Sequence, residues 1–209
     1  MGRPFFSVIV PAHNGEGRMR KGLDSIRLQT FTDYELLIVC DDCQDGTARI
    51  AGEYTDRVFE VEWHNCGKTR NKGLDEAVGE WILFMDDDDW WRDREAFQKI
   101  HDAILANGDG FDVLAFNFVF GSNGMARQYP GHLYIAIWNK AWKREFIGDT
   151  RFPEVPHSDD VGFSRATHPR ARFRFLDECL YHYDWMRPGS ITQKLHTGEL
   201  KRLEEMGLI

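Results

Sequence analysis

The sequence predicts a single α/β domain with a mainly parallel central sheet flanked by helices. Short apolar, β-branched segments alternate with segments whose apolar residues recur at helical spacing, as in successive βαβ units. A chain of 209 residues can bury one substantial core, whereas two full domains would be cramped. Polar clusters follow directly after the apolar segments, and in open parallel sheets ligands bind at that edge.

The first half of the chain predicts four strands separated by helices. The predicted strands span residues 5–10, 34–40, 57–62 and 80–85. The first helix has Met19, Leu23 and Ile26 on one face, and two further helices are predicted over residues 47–54 and 68–78. Asn14, Asp41 with Asp42, and four aspartates at 86–89 each follow a strand, so we expect them to share one crevice.

The second half is less regular. Phe97, Ile100 and Ile104 indicate a helix, and residues 112–120 are apolar on both faces, which favours a buried strand. Alternating residues predict two late strands, near 172–175 and near 181–185. Trp138 and Trp142 are interpreted as loop residues around a site, and a short helix is predicted over 198–206.

Composition excludes several classes of protein. Asp and Glu number 34 against 26 Lys and Arg, a net charge of −8, which argues against a broad nucleic-acid surface. No apolar stretch reaches the roughly 20 residues of a membrane-spanning helix, and the N-terminus lacks a secretory signal. The expectation is a cytoplasmic protein without a transmembrane segment, compatible with peripheral membrane association. Cys40 and Cys43 form a lone CxxC, a weak signal for redox or zinc chemistry.

The aspartates at 86–89 are the clearest chemical signal. Adjacent ionised carboxylates repel one another, and a divalent cation relieves that repulsion. Mg²⁺ or Mn²⁺ typically uses one or two protein carboxylates and completes its shell with water and substrate phosphates. Asp86 and Asp88 have suitable spacing at a strand end. The alternative is a solvated acidic loop that precedes a helix near Asp93.

Six segments resemble, in order, the motifs of glycosyltransferase family 2, which has the GT-A fold. They are SVIVPAHN (7–14), LLIVCDDCQDGT (36–47), TRNKGLDEAVGEWILFMDDDDWW (69–91), IWNKAWKREFI (137–147), RFPEVPHSDDVGF (151–163) and YHYDWMRPGSIT (181–192). The resemblance covers nearly the whole chain. It implies one nucleotide-binding, Rossmann-like domain over 1–209, with a nucleotide-sugar half (1–91) and an acceptor half (92–209).

The resemblance also implies the reaction. It is the metal-dependent, inverting transfer of a sugar from a nucleotide-sugar to a hydroxyl acceptor, in glycan or polysaccharide biosynthesis. Pro11 and Asp42 match positions that hold the nucleoside, with Asp41 beside them, and a carboxylate that can accept from a uracil-like N–H favours UDP. Arg70 matches an arginine that approaches the donor. The alternatives are a locally hydrogen-bonded turn at Asp41 and Asp42, and a surface salt bridge for Arg70.

On the same resemblance, the metal, Mn²⁺ or Mg²⁺, is assigned chiefly to Asp88, with Asp86 in support. Asp87 stands where the family often has serine and is assigned to a ribose contact. His182 is a further candidate ligand for metal or phosphate, the alternative being a structural histidine on an alternating strand.

Inversion requires a general base on the acceptor side, because the hydroxyl loses its proton as it attacks. Asp160, in the Asp159–Asp160 pair, matches the family's base. Arg187 and Ser190 lie in a late loop, 187–192, that in relatives folds over the diphosphate, and Gly189 would give this lid a hinge.

Two other functions remain open from the sequence. A sugar nucleotidyltransferase also uses a carboxylate-bound metal, but it would need a glycine-rich, basic phosphate loop that residues 11–21 do not provide. A degenerate, non-catalytic nucleotide-sugar-binding module would need no general base. The acceptor, whether a lipid-linked saccharide, a glycan or a protein, is not specified.

Overall fold

The computed structural model describes residues 2–121, 124–126, 135–155, 158–185, 188–190, 193–194, 197–198 and 205. Its strands are β1 (Phe6–Ala12), β2 (Tyr34–Asp41), β3 (Val58–Val61), β4 (Trp81–Phe84), β5 (Trp90–Trp91), β6 (Val113–Phe120), β7 (Gly124–Ala126), β8 (Lys140–Lys143) and β9 (Phe173–Tyr183). Its helices are α1 (Met19–Arg27), α2 (Thr47–Ala51), α3 (Cys66–Glu76), α4 (Ala96–Asn107), α5 (Arg144–Ile147) and α6 (Asp159–Thr167), with a 3₁₀ turn at His168–Arg170. In the described part of the chain, no helix is both long and apolar enough to cross a bilayer.

All nine strands belong to one sheet in the order β3-β2-β1-β4-β8-β6-β9-β5, with β7 paired to β6. The strands β3, β2, β1 and β4 are mutually parallel, as the alternating pattern predicts. Strand β8 lies antiparallel between β4 and β6, and β9 then runs parallel to β6. The predicted α/β class with a mainly parallel sheet is confirmed.

The sheet is covered on both faces. All seven residues of β1 are buried, and successive side chains alternate between two apolar clusters. Val8 packs in the cluster that contains Leu23 of α1. Ile9 packs in the cluster that contains Leu74 of α3 and Phe163 of α6. Burial on both faces explains why the central strands are continuous apolar runs rather than alternating ones.

Three sequence predictions about the second half are wrong or only partly testable. The two late strands are one strand, β9, whose pairing with β6 shifts register around Asn117, so one irregular strand imitates two in the sequence. Trp142 is a fully buried residue of β8 rather than a loop residue, whereas Trp138 does lie in the turn before β8 but is buried in the core at 5% exposure. Of the helix predicted over 198–206, only 198 and 205 lie within the described residues.

Candidate functional site

The polar clusters that follow β1, β2 and β4 lie together at one edge of the sheet. The backbone N–H of His13 donates to Asp87 at 3.3 Å, which joins the first loop to the acidic run. The backbone N–H of Gln44 donates to the side chain of Asn14 at 2.8 Å, which joins the first loop to the second. The carboxyl ends of three strands therefore form one polar edge, as expected of parallel strands.

Two aspartates of the acidic run bind other parts of the fold. Asp87 is buried and accepts two hydrogen bonds from Arg18, from Nε at 3.0 Å and Nη2 at 2.8 Å. Burial raises the pKa of Asp87 to about 6, although the Arg18 charge opposes the rise. Asp89 accepts from the hydroxyl of Tyr181 at 2.7 Å and from the backbone N–H of Asp184 at 2.8 Å. Asp86 and Asp88 are the two half-buried members of the run.

Close contact with α1 fixes the position of this run. A Cβ on Gly22 would lie 2.4 Å from the carbonyl oxygen of Asp89, far inside van der Waals contact. Only a residue without a side chain allows the helix to approach the backbone of the acidic run this closely. Helix α1 therefore packs directly against the backbone at Asp89, the last residue of the acidic run.

Arg70 joins the acidic run to the second half of the chain. Its side chain is 8% exposed, and the guanidinium donates from Nη2 to Asp86 at 2.7 Å and from Nη1 to Asp159 at 2.6 Å. Burial disfavours the charge, but the two carboxylates hold the pKa of Arg70 above its ordinary value. The buried Nε has no hydrogen-bond partner among the described residues. Arg70 is thus an interior ion-pair centre rather than a surface arginine.

Asp160 stands at the start of α6, next to Asp159. The helix begins at Asp159, directly after Ser158, whose φ of +61° lies in the left-handed region and turns the chain into the helix. One oxygen of Asp160 accepts from the backbone N–H of Val161 at 2.9 Å. Burial raises the pKa of Asp160, with Arg70 opposing the rise and Asp159 adding to it. A carboxylate with a raised pKa near a buried cation has the properties of a general base.

Asp41 organises the loop before α3. Its Oδ1 accepts from the backbone N–H groups of Trp63 and His64 at 2.7 and 3.0 Å, and its Oδ2 accepts from Asn65 and the Thr69 hydroxyl at 2.8 and 2.9 Å. Burial opposes ionisation, but these hydrogen bonds outweigh it and lower the pKa of Asp41. Both oxygens of this candidate nucleoside ligand therefore already bind protein groups.

We expect Asp41→Asn to lower the free energy of unfolding by about 1–3 kcal/mol at neutral pH, because an amide cannot accept on both sides. The lowered pKa sets the pH dependence. Stabilisation is complete above the ordinary carboxyl pKa and is lost as the pH falls through the folded value. Urea unfolding of both proteins across this pH range checks the prediction. A difference between the two proteins that does not shrink in acid would contradict it.

Asp42 lies beside Asp41 but has different partners. Its φ is +48°, and its carboxylate accepts from Nε2 of His64 at 2.8 Å and from the Gln44 amide at 3.0 Å. Pro11 is buried near the end of β1, paired in register with Val39 of β2. The two residues predicted to bind the nucleoside therefore lie at the carboxyl ends of the neighbouring strands β1 and β2.

His182 stacks on an aromatic ring. Its imidazole lies 3.7 Å from the ring of Trp90 at an interplanar angle of 14°, and Lys21 Nζ lies 2.9 Å from the centre of the same ring. Burial and the charge of Lys21 lower the pKa of His182. Among the described residues, no three His, Cys, Asp or Glu side chains form a group that could hold a metal by themselves.

The predicted lid loop is described only in part. Arg187 lies outside the described residues, as do 191 and 192. Gly189 has a φ of +81°, which favours glycine, and the Ser190 hydroxyl accepts from the backbone N–H of Gln193 at 3.1 Å.

Three residues that shape the site escaped the sequence analysis. Arg18 holds Asp87, Tyr181 holds Asp89, and Lys140 is wholly buried at the start of β8. An isolated arginine in a polar loop carries no periodic signal. The buried Lys140 lies within a recognised motif, and a lysine between Trp138 and Trp142 could have indicated an interior cation.

Comparison with known proteins places this geometry in a context. The sequence matches the profile described as glycosyl transferase family 2 over residues 7–168. EpsH of Bacillus subtilis (strain 168) is 33% identical over 240 residues, which cover 100% of this chain and 67% of EpsH. The poly(ribitol-phosphate) beta-N-acetylglucosaminyltransferase TarS of Staphylococcus aureus (strain Mu50) is 37% identical over 228 residues, 98% of this chain but only 39% of TarS.

Solved structures agree on the fold. The crystal structure of S. aureus TarS 1–349 in complex with UDP-GlcNAc superimposes with a TM-score of 0.79 and 25% identity, covering 90% of this chain and 60% of that one. The mannosyltransferase PcManGT from Pyrobaculum calidifontis, in complex with GDP-Man and Mn²⁺, superimposes with a TM-score of 0.68. It covers 90% of this chain and 59% of that one at 19% identity, and so supports the fold alone.

Proposed function

The chain belongs to glycosyl transferase family 2, and on that premise we propose that it transfers a sugar from a UDP-sugar to a hydroxyl acceptor, with inversion and with a divalent metal ion. Residues 1–91 would bind the donor and residues 92–209 the acceptor. The reaction would serve glycan or polysaccharide synthesis, as the name of TarS suggests for that relative.

One observation carries the proposal, namely the bridge that Arg70 makes between the two halves. It binds Asp86 in the acidic run and Asp159 next to the candidate base, 2.7 and 2.6 Å away. The carboxylates proposed for the donor and acceptor sides would thus share one buried arginine, which would keep the two substrates close together. The buried Nε–H of Arg70 has no hydrogen-bond partner among the described residues and would favour an oxygen of the bound donor.

The donor proposal rests on the strand ends around Asp42. A carboxylate at this position can accept from the N–H of uracil, and Pro11 would pack against the nucleoside. Asp41 would act by shaping the loop that carries His64, because its own oxygens already bind backbone N–H groups. The structural relative TarS 1–349 was crystallised with UDP-GlcNAc and, separately, with UDP, which supports UDP as the carrier.

The acidic run fits a divalent metal. Burial raises the pKa of Asp86, with the charge of Arg70 opposing the rise, so this carboxylate gains from further positive charge nearby. Asp88 and Asp86 would hold the ion, which needs few protein ligands when substrate phosphates supply the others. When bound, Mn²⁺ or Mg²⁺ would neutralise charge that develops on the leaving diphosphate. Stacking on Trp90 makes His182 a weaker candidate ligand.

Asp160 would act as the general base on the acceptor. It would take the proton of the acceptor hydroxyl while the oxygen attacks the anomeric carbon from the face opposite the diphosphate. Asp159 would hold Arg70 rather than the substrate, since one of its oxygens accepts from that guanidinium. Arg187 and Ser190 would close over the diphosphate, and Asp87, which Arg18 holds in place, would contact the ribose.

A donor screen tests the proposal. The protein is mixed with UDP-, GDP-, dTDP- and CMP-sugars, with Mn²⁺, Mg²⁺ or a chelator, and its melting temperature and the release of nucleotide are recorded. We expect stabilisation by UDP-sugars that depends on metal, because a ligand that binds only the folded state stabilises it. In a parallel reaction with a sugar phosphate and a nucleoside triphosphate, release of pyrophosphate would instead identify a sugar nucleotidyltransferase. Stabilisation without nucleotide release, with any acceptor offered, would identify a binding module.

Asp88→Ala should remove the metal dependence of this shift. We expect the Mn²⁺-dependent stabilisation by UDP-sugar to fall to the level seen with chelator, because one of the two proposed ligands is lost. Asp102→Ala, which removes an exposed carboxylate on α4, is the matched control and should keep the full shift. An unaltered metal response in the Asp88 variant would refute the assignment.

A further inference from the structure

Arg18 makes more polar contacts than its pairing with Asp87 requires. Besides the two hydrogen bonds to the Asp87 carboxylate, Nη1 donates to the carbonyl of Asn14 at 2.5 Å and Nη2 donates to the carbonyl of His13 at 2.8 Å. The side chains of Arg18 and Asp87 are 25% and 10% exposed, so the pair is largely shielded from water. One guanidinium therefore binds two segments of the chain, the loop after β1 and the acidic run.

The loop after β1 also touches the acidic run directly. The backbone N–H of His13 donates to Oδ2 of Asp87, the same oxygen that accepts from Nη2 of Arg18. A Cβ on Gly15 would lie 2.8 Å from this oxygen. The carboxylate cannot swing aside to make room, because Arg18 holds both of its oxygens. Only glycine therefore allows the loop to lie so close to Asp87.

Asn14 extends the connection to the segment that contains Asp42. Its φ of +47° lies in the left-handed region, a conformation that persists only where the surroundings hold the residue firmly. The Asn14 carbonyl accepts from Arg18, and its side-chain oxygen accepts from the backbone N–H of Gln44 at 2.8 Å. The side-chain amide of Gln44 donates in turn to Asp42 at 3.0 Å. A continuous path of hydrogen bonds thus joins Asp87 to Asp42, and Arg18 is its first link.

We propose that Arg18 is a positioning residue for the nucleoside of the donor, because it fixes the loop after β1 between Asp87 and Asp42. The role rests on the proposed function, which assigns Asp87 to the ribose and Asp42 to the base. Sugar transfer leaves the nucleoside chemically unchanged, so a fixed nucleoside pocket stabilises the bound donor and the transition state equally. Loss of Arg18 should therefore weaken donor binding and leave the chemical step nearly unaltered.

Hydrogen exchange tests the connection without any ligand. The backbone N–H of His13 donates to Asp87, and that of Gln44 donates to Asn14, so both report on the path that Arg18 begins. We expect both groups to exchange at least about tenfold faster in Arg18→Met, because the loop loses hydrogen bonds to a charged group. NMR on ¹⁵N-labelled protein gives the two rates.

Two further variants complete this test. Arg18→Lys keeps a positive charge beside Asp87 and so covers poor folding of Arg18→Met. One ammonium cannot bind all four oxygens that the guanidinium binds, so exchange should again be faster than in wild type. Arg20→Met is the matched control, because Arg20 binds Glu53 through two hydrogen bonds of 2.7 and 2.8 Å from the adjoining helix α1. It should leave both exchange rates unchanged.

Binding and turnover test the role in donor recognition. The Kd for UDP in the presence of Mn²⁺, measured by calorimetry, should rise about tenfold in Arg18→Met and stay at the wild-type value in Arg20→Met. In an active preparation, the KM for UDP-sugar should rise by a similar factor. The kcat should stay within about twofold of wild type, because the reacting groups are unaltered.

Each outcome separates the connection from its function. Unaltered exchange at His13 and Gln44 in both Arg18 variants would overturn the connection. Faster exchange with an unaltered Kd for UDP, or a loss confined to kcat, would overturn the positioning role and leave Arg18 a structural partner of Asp87. If the wild-type protein binds no UDP, the proposed donor and the positioning role are both wrong. The exchange rates would still show whether Arg18 joins the two segments.

Discussion

Asp160→Asn should lower the rate of sugar transfer by about 10²–10⁴-fold, the usual contribution of a general base. An amide has nearly the shape of the carboxylate but cannot take the acceptor proton at neutral pH. Asp160 is half-buried, and its own hydrogen bond to the Val161 N–H can be kept by the amide oxygen. We therefore expect folding and metal-dependent binding of UDP-sugar to remain close to wild type while turnover is lost.

The measurement compares the initial rate of nucleotide release with the melting-temperature shift on adding donor. Asp149→Asn, an exposed carboxylate on the connection between α5 and α6, serves as control and should retain full activity. Asp160→Glu should recover part of the rate, since it restores a base displaced by one methylene. If Asp160→Asn transfers sugar at the wild-type rate, the prediction is wrong and another residue is the general base.

Arg70→Met should be the most destabilising of the single changes considered, with a loss of about 3–5 kcal/mol in the free energy of unfolding. The side chain is buried and its guanidinium binds both Asp86 and Asp159, so removing it leaves two carboxylates of the interior cluster without this cation. Activity should fall as well, because the acidic run and the start of α6 lose their link. Urea unfolding at neutral pH, with nucleotide release measured in parallel, checks both effects.

Arg70→Lys separates charge from geometry. A lysine ammonium keeps the positive charge. It cannot reproduce the two guanidinium hydrogen bonds, one to Asp86 in the acidic run and one to Asp159 in α6. We expect stability between that of wild type and Arg70→Met, with activity closer to the latter. The destabilisation of Arg70→Met should shrink in acid, since burial raises the pKa of Asp86 and protonation of this carboxyl removes its unpaired charge. Lys72→Met, which removes a cation on the exposed side of the same helix, should cost much less. A loss below about 1 kcal/mol for Arg70→Met would contradict this prediction, because exposed ion pairs already contribute that much.

Much of the fold follows from local pattern. The segment 34–40 predicted as a strand is β2 at Tyr34–Asp41, and the segment 112–120 contains β6. These runs are long and apolar enough to show their period. Strand β8 has only four residues and no alternation of its own, and it exists because β4 and β6 pair with it on either side. Trp142, which lies within β8, was mistaken for a loop residue for that reason.

The sequence by itself determined the α/β alternation, the family and the set of carboxylates at the strand ends. These features lie within short segments, where spacing alone carries the information. Only the tertiary structure decided which partner each charge has. Arg70 and Asp159 are 89 residues apart, and the pairing of Arg18 with Asp87 spans 69. Such pairs depend on how the helices pack across the sheet. A charge that this packing buries is stable only beside an opposite charge, and the two residues can be far apart in the sequence.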